Sequence, residues 1–122
     1  MIAYVNVGTN DLAKAKSFYD AVLAPLGATV MFNTDRAYFY GTGNGPFLAV
    51  NTPFDGQTAT FGNGTMVALD APSQDVVNQM HAKALELGGK DEGAPGLRGE
   101  TYYGAYFRDL DGNKFVVCHW PR

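Results

Sequence analysis

The sequence predicts an α+β domain of two tandem βαβββ modules, which form a curved mixed sheet around a central cavity with the helices on the outer face. Three observations point there. A strand-like segment leading into an amphipathic helix occurs twice, at a constant offset of about 62 residues. Each helix is followed by short β-rich stretches separated by Gly, Pro, Asn and Asp turns. The chain has 122 residues with 46% apolar and 13% aromatic side chains, the size and composition of one packed domain.

Residues 2–8 alternate loosely and end in Gly8-Thr9-Asn10-Asp11, a run of helix-capping types. Leu12, Ala15, Phe18, Tyr19, Val22 and Leu23 then recur at helical spacing and make one apolar stripe, closed by Pro25 and Gly27. Strands are expected at 29–32, 37–40 and 47–51. The run from Gly41 to Pro46 lacks the glycine spacing of a dinucleotide loop and is followed by an apolar strand, so it reads as a hairpin turn. A polar, Gly- and Thr-rich stretch comes next, and the pattern restarts. A strand at 65–69 leads to Pro72-Ser73 and a helix with the stripe Val76, Val77, Met80, Ala84, Leu85 and Leu87, ended by Gly88-Gly89. Later strands are expected near 90–92, 102–108 and 114–119. The run Asp109-Leu110-Asp111-Gly112-Asn113 is the turn between the last two; its glycine comes too early for a calcium loop, and the closing Glu is missing. One domain, 1–122, is therefore expected, with module 1 at about 1–53, a connection at 54–63 and module 2 at about 64–122.

Strand neighbours point to opposite faces, so alternation assigns sides. Ala3, Val5 and Val7 suit the helix side, which leaves Ile2, Tyr4 and Asn6 for the cavity. The same count turns Met66 and Ala68 inward, together with Lys114, Val116 and Cys118.

The net charge of −3 gives no footprint for nucleic acid or an anionic membrane, and no apolar run is long enough to span a bilayer. There is no signal-peptide pattern at the N-terminus, and the single cysteine, Cys118, fits a reducing, cytoplasmic location.

Several phrases together resemble one family: Asn10-Asp11-Leu12-Ala13-Lys14-Ala15-Lys16-Ser17-Phe18-Tyr19, Leu26-Gly27, Gly62-Asn63-Gly64-Thr65-Met66-Val67-Ala68, Gly93-Ala94-Pro95-Gly96 and the Asp109–Asn113 turn. They are similar to the vicinal oxygen chelate superfamily of glyoxalases, bleomycin-resistance proteins and extradiol dioxygenases, and the resemblance spans essentially the whole chain. It implies the fold above, a homodimer, and lyase or dioxygenase chemistry at a divalent metal held by His, Glu or Gln on the first, fourth, fifth and last strands. Carried over, those places fall on Tyr4, on a residue within one or two of Leu48, on Met66 and on Val116. None offers the carboxylate, imidazole or thiolate that divalent ions require. The expectation is therefore a member without a metal or other cofactor, binding a small organic molecule in the cavity. The alternatives are metal-dependent catalysis through other ligands and metal-free catalysis with Tyr4 as acid or base.

The candidate ligand-binding residues are Tyr4, Asn6, Tyr38, Tyr40, Met66, Arg98, Tyr102, Tyr103 and Val116. The tyrosines, with Tyr106, offer stacking surface and hydroxyl donors, and Arg98 offers a guanidinium for an anionic group. Of the two histidines, His81 reads as a residue on the flank of the helix or on the surface. His119 adjoins Cys118, but strand neighbours face apart, which argues against a Cys-His nucleophile.

Overall fold

A computed structural model describes residues 1–121. Its strands are β1 (Tyr4–Gly8), β2 (Thr29–Asn33), β3 (Ala37–Gly41), β4 (Phe47–Asn51), β5 (Val67–Asp70), β6 (Lys90–Arg98), β7 (Tyr102–Arg108) and β8 (Lys114–His119). The helices are α1 (Leu12–Val22) and α2 (Gln74–Glu86), with a short 3-10 turn at Ala24–Leu26. The strands form two four-stranded sheets, ordered β1-β4-β3-β2 and β5-β8-β7-β6. In each, the first strand pairs in parallel with the last and the other pairings are antiparallel. No ladder joins the sheets among the described residues, so they do not close into a barrel.

Local chemistry starts each helix where the sequence expects it. Asp11 accepts a hydrogen bond from the Lys14 amide (3.1 Å), and Ser73 does the same for Val76 (3.2 Å), each satisfying an otherwise orphaned N–H. Gly27, at φ 73°, supplies the left-handed residue that ends the first helical segment.

Both helices cover one side of the sheets, and the core lies there. Val7, Leu48, Val50 and Tyr40 of the first sheet meet Phe107, Phe115 and Val117 of the second, under Phe18, Tyr19, Val77 and Met80 of the helices. Helix α1 belongs to module 1 by sequence yet packs on module 2: Phe18 lies 6.5 Å from Phe107 and Tyr19 5.9 Å from Phe115, centroid to centroid. Neither module buries its apolar face alone, and each buried ring contributes roughly 2–3 kcal/mol of transfer free energy.

The Asp109–Asn113 turn fastens the modules together. The Asp109 carboxylate accepts from the amides of Asp111 (2.9 Å) and Asn113 (2.8 Å), which shapes the turn, and from the Tyr19 hydroxyl of α1. The Asn113 side chain donates to the Gly8 carbonyl (2.9 Å), and Asp111 accepts from the Asn10 amide (2.9 Å). Gly112 sits at φ 89°, which the turn requires.

Two expectations need correction. Strand β6 does not stop near residue 92: it runs to Arg98 with two irregularities, because Gly93 and Gly96 let the backbone bulge past Tyr106 and Gly104. His81 is buried rather than at the surface, and its Nε2 lies 3.0 Å from the Asp91 carboxylate.

Candidate functional site

The side of the sheets away from the helices is open over the first sheet, where Tyr4 and Phe32 are about half exposed, and closed along the middle of the second, where Val116 and Cys118 are buried. Parity on β1 turns Val5 and Val7 into the core and leaves Tyr4 and Asn6 on the open face. The register sets Tyr4 beside Phe47 and Asn6 beside Ala49, and Ala49 beside Phe39. Phe32 stacks on Phe39 at 4.3 Å, Tyr4 meets Phe39 edge-on at 5.4 Å, and Phe47 meets Phe32 at 5.5 Å. The result is an aromatic platform of four rings on one sheet face. Gly41 is part of its construction: a Cβ there would come within 2.8 Å of the Phe47 ring and 3.1 Å of Met31.

Tyr4 (49% exposed), Phe32 (48%) and Met31 (47%) are too open for this platform to be interior packing.

The second sheet supplies the opposite wall. Lys114, Val116 and Cys118 share this face of β8, and Tyr102, Gly104 and Tyr106 share it on β7. Burial, followed by the neighbouring Cys118, pushes the Tyr102 hydroxyl well above the ordinary phenol range, so it stays a neutral donor. Arg98 lies over the Tyr106 ring (5.5 Å) and Lys114 approaches the same ring (5.7 Å).

Between the sheets, the unpaired edges of β1 and β5 leave a seam with two hollows. One, of about 330 Å³, is apolar and lined by Ile2, Phe47, Met66 and Ala68 among others. The other, of about 140 Å³, is polar and brings Asn6 and Lys114 together with Thr65 and Phe61. A larger hollow of about 740 Å³ lies elsewhere, over Arg36, Phe54 and Gln57; there Arg36 is engaged by the Thr52 carbonyl (2.7 Å) and the Phe54 ring, and no titratable cluster converges.

The nine sequence candidates divide by strand parity. Tyr4, Asn6, Tyr102 and Val116 stand on the concave side, and Met66 stands at the seam just before β5. Val116 is wholly buried and Arg98 is exposed at the rim. Tyr38, Tyr40 and Tyr103 point the other way. Tyr40 donates to Asp20 (2.8 Å) on α1, Tyr103 donates to Asn78 (2.7 Å) on α2, and Lys16 lies over the Tyr38 ring. These three tie helices to sheets and do not line the cavity. Alternation contains the signal: in Tyr38-Phe39-Tyr40 only the middle residue can share a face with Tyr4 through the β4 register. Phe32, Phe39 and Phe47, absent from the sequence candidates, are the platform. Within the fourth-strand place expected one or two residues around Leu48, Leu48 itself faces the core, and its neighbours Phe47 and Ala49 share the face of Tyr4 and Asn6.

A divalent metal does not fit these residues. Tyr4, Phe47, Ala49, Met66 and Val116 supply one phenol, one thioether and hydrocarbon. Among the described residues no group of three or more His, Cys, Asp or Glu side chains is placed to hold an ion. Cys118 and His119 diverge as strand parity requires, with His119 Nδ1 3.0 Å from the Ala71 carbonyl.

Residues 1–117 match the family described as the Glyoxalase/Bleomycin resistance protein/Dioxygenase superfamily. A glyoxalase/bleomycin resistance protein from Albidiferax ferrireducens T118 has a structure similar to this one, with 39% identity, a TM-score of 0.92 and 99% of each chain covered. A glyoxalase-related enzyme from Fulvimarina pelagi shares the fold at 20% identity and a TM-score of 0.77, over 98% of this chain and 87% of its own. So does a putative glyoxalase from Bacillus halodurans, at 21% identity and a TM-score of 0.74, over 98% of this chain and 95% of its own. No protein of curated function matches.

Proposed function

Since the chain belongs to the Glyoxalase/Bleomycin resistance protein/Dioxygenase superfamily, we propose that it uses this fold to bind a small organic molecule in the concavity, without a metal. One observation carries the reading: an aromatic platform of Tyr4, Phe32, Phe39 and Phe47 occupies the face away from the helices, and its Tyr4 stands at a place where the family resemblance implies a metal ligand. Stacked and edge-on rings offer a flat apolar ligand dispersion and quadrupole contacts, and they contribute nothing to Lewis-acid chemistry. Asn6, two residues along β1 from Tyr4, and Lys114, which borders the same hollow as Asn6, are the orienting polar groups.

We propose further that the chain works as a homodimer. Ile2, Met31 and Met66 are each more than 40% exposed, apolar surface that a second copy would cover. A cytoplasmic setting suits the lone, unpaired Cys118, and no helix among the described residues is long and apolar enough to cross a membrane.

The test is a thermal-shift screen with flat aromatic fragments on the wild-type chain and on Phe39→Ala. Fragments at about 100 times their Kd stabilise the folded chain by about 2.7 kcal/mol, which reads as a clear rise in Tm. The reading predicts such rises in the wild type and their loss in Phe39→Ala. A screen with no rise, or with equal rises in the variant, defeats it.

A further inference from the structure

The two walls of the concavity differ in charge, and the difference specifies the ligand. The platform wall carries none: Tyr4, Asn6, Phe32, Phe39 and Phe47 are all neutral. The opposite wall carries cations. Arg108 is paired there with Glu92 (Nε to Oε1, 2.7 Å), which accounts for that carboxylate. Arg98 and Lys114 have no ion pair among the described residues and share the Tyr106 ring as their common neighbour. Both sit inside a chain whose net charge is −3, so this wall opposes the sign of the molecule as a whole.

The two cations are not equivalent. Arg98 donates from Nη1 to the Gly96 carbonyl (2.9 Å) and from Nη2 to the Ala94 carbonyl (2.7 Å), so it clamps the bulged end of its own strand. Lys114 makes no hydrogen bond among the described residues, and it borders the same hollow of about 140 Å³ as Asn6. Asn6 is exposed, and its side-chain amide has no hydrogen-bond partner among the described residues. The neighbouring Asn113, in contrast, has its amide committed to Gly8 and Asp109. Asn6 and Lys114 therefore border one hollow, and the Lys114 ammonium lies 5.7 Å from the centroid of the Tyr106 ring. Asn6 and Tyr4 are two residues apart on one strand face, which separates that space from the platform edge by about 7 Å.

We propose that the ligand is an aromatic carboxylic acid, with its ring on the Phe39 platform and its carboxylate between Lys114 and Asn6. This inference rests on the small-molecule reading above. A cationic ligand would lack a counter-charge here, because Glu92 is taken by Arg108. Lys114 acts on Glu92 only through space, behind the Arg108 ion pair, and a neutral ligand would give its ammonium no closer counter-charge. An acid of this shape matches the charge, the spacing and the apolar wall together.

The experiment compares 3-phenylpropanoate with its neutral amide by ligand-observed NMR titration, on the wild-type chain, Lys114→Gln and Phe39→Ala. Lys114 is only partly buried and forms no hydrogen bond, so Lys114→Gln retains the fold, checked by an unchanged Tm. The acid is expected to bind at least about tenfold tighter than the amide, which corresponds to about 1.4 kcal/mol. That advantage should vanish in Lys114→Gln and shrink with added salt, whereas Phe39→Ala weakens acid and amide alike. Equal binding of acid and amide, or an advantage that survives Lys114→Gln, overturns the acid while leaving a small-molecule site standing. Binding of neither compound overturns both.

Discussion

Tyr19→Phe deletes one hydroxyl and leaves the edge-on packing of the ring against Phe18 and Phe115 in place. What it removes is the α1 contact to the Asp109 carboxylate, the point where helix and turn fasten the two modules. A hydrogen bond to a charged group contributes about 1.5–3 kcal/mol when its partner is buried, and Asp109 is 5% exposed. The oxygen concerned keeps a second donor, the Asn113 amide at 2.8 Å, so the loss belongs near the middle of that range, about 2 kcal/mol. Burial raises the Asp109 pKa above its unfolded value, and the donors from Tyr19, Asn113 and Asp111 act against that rise. A carboxyl shifted upward contributes stability that is full below the unfolded pKa and is lost as pH rises through the folded pKa. Deleting a donor lifts the folded pKa further, so the cost of the substitution grows as Asp109 ionises. Urea unfolding should give a loss of about 2 kcal/mol at neutral pH, falling to about 1 kcal/mol near pH 4. A loss under about 0.5 kcal/mol at neutral pH, or one that grows on acidification, would refute the clamp.

The remaining predictions concern the same joint, the division between core and platform, and the β6 carboxylate. Asn113→Ala removes buried donors to both Gly8 and Asp109, and should cost about 2–3 kcal/mol in urea unfolding; a loss below about 1 kcal/mol contradicts the assignment. Phe107→Ala, at a wholly buried ring, should cost about 3–5 kcal/mol, whereas Phe39→Ala on the half-open platform should cost about 1 kcal/mol. Equal costs would mean that the platform is structural core. The Asp91 carboxyl is held below the usual carboxylate range, first by the Gly93 amide and then by His81. Its contribution is present above the unfolded carboxylate pKa and is lost as pH falls through the folded value. Asp91→Asn should therefore flatten the fall of Tm below about pH 5; an unchanged acid limb contradicts this.

The sheets, both helices and both caps were legible because each rests on a local pattern. Leu12 to Leu23 and Val76 to Leu87 keep helical spacing, Asp11 and Ser73 are strong N-caps, and the offset between the copies repeats strand and helix together. Alternation on β1 and β8 also turned Tyr4, Asn6, Lys114 and Val116 inward correctly, since parity is fixed once one residue is anchored. The platform is hard to read from residue type, because parity decides it on β3: the hydroxyl-bearing rings of Tyr38 and Tyr40 serve the helices, and Phe39 between them faces the other way. Strand β6 was cut short because Gly93, Pro95 and Gly96 read as a loop, and only pairing with β7 extends such a segment to Arg98. His81 lay one step off the helical stripe, and its partner Asp91 is recognisable only when β6 folds back on α2. The role of Asn113 in holding Gly8, more than a hundred positions earlier in the chain, is likewise a long-range contact that no local pattern announces.

A small-molecule site on the concave face that works without a metal is open to native mass spectrometry of chain purified without chelator. Spectra would be recorded before and after adding nickel, zinc, manganese or iron(II) at low micromolar concentration. The masses should stay free of a stoichiometric ion, because Tyr4, Met66 and Val116 offer it no ligand set, and should shift on adding 3-phenylpropanoate. One tightly held ion per chain, with no aromatic acid retained, would contradict this and return the chain to the metal-dependent chemistry of its superfamily.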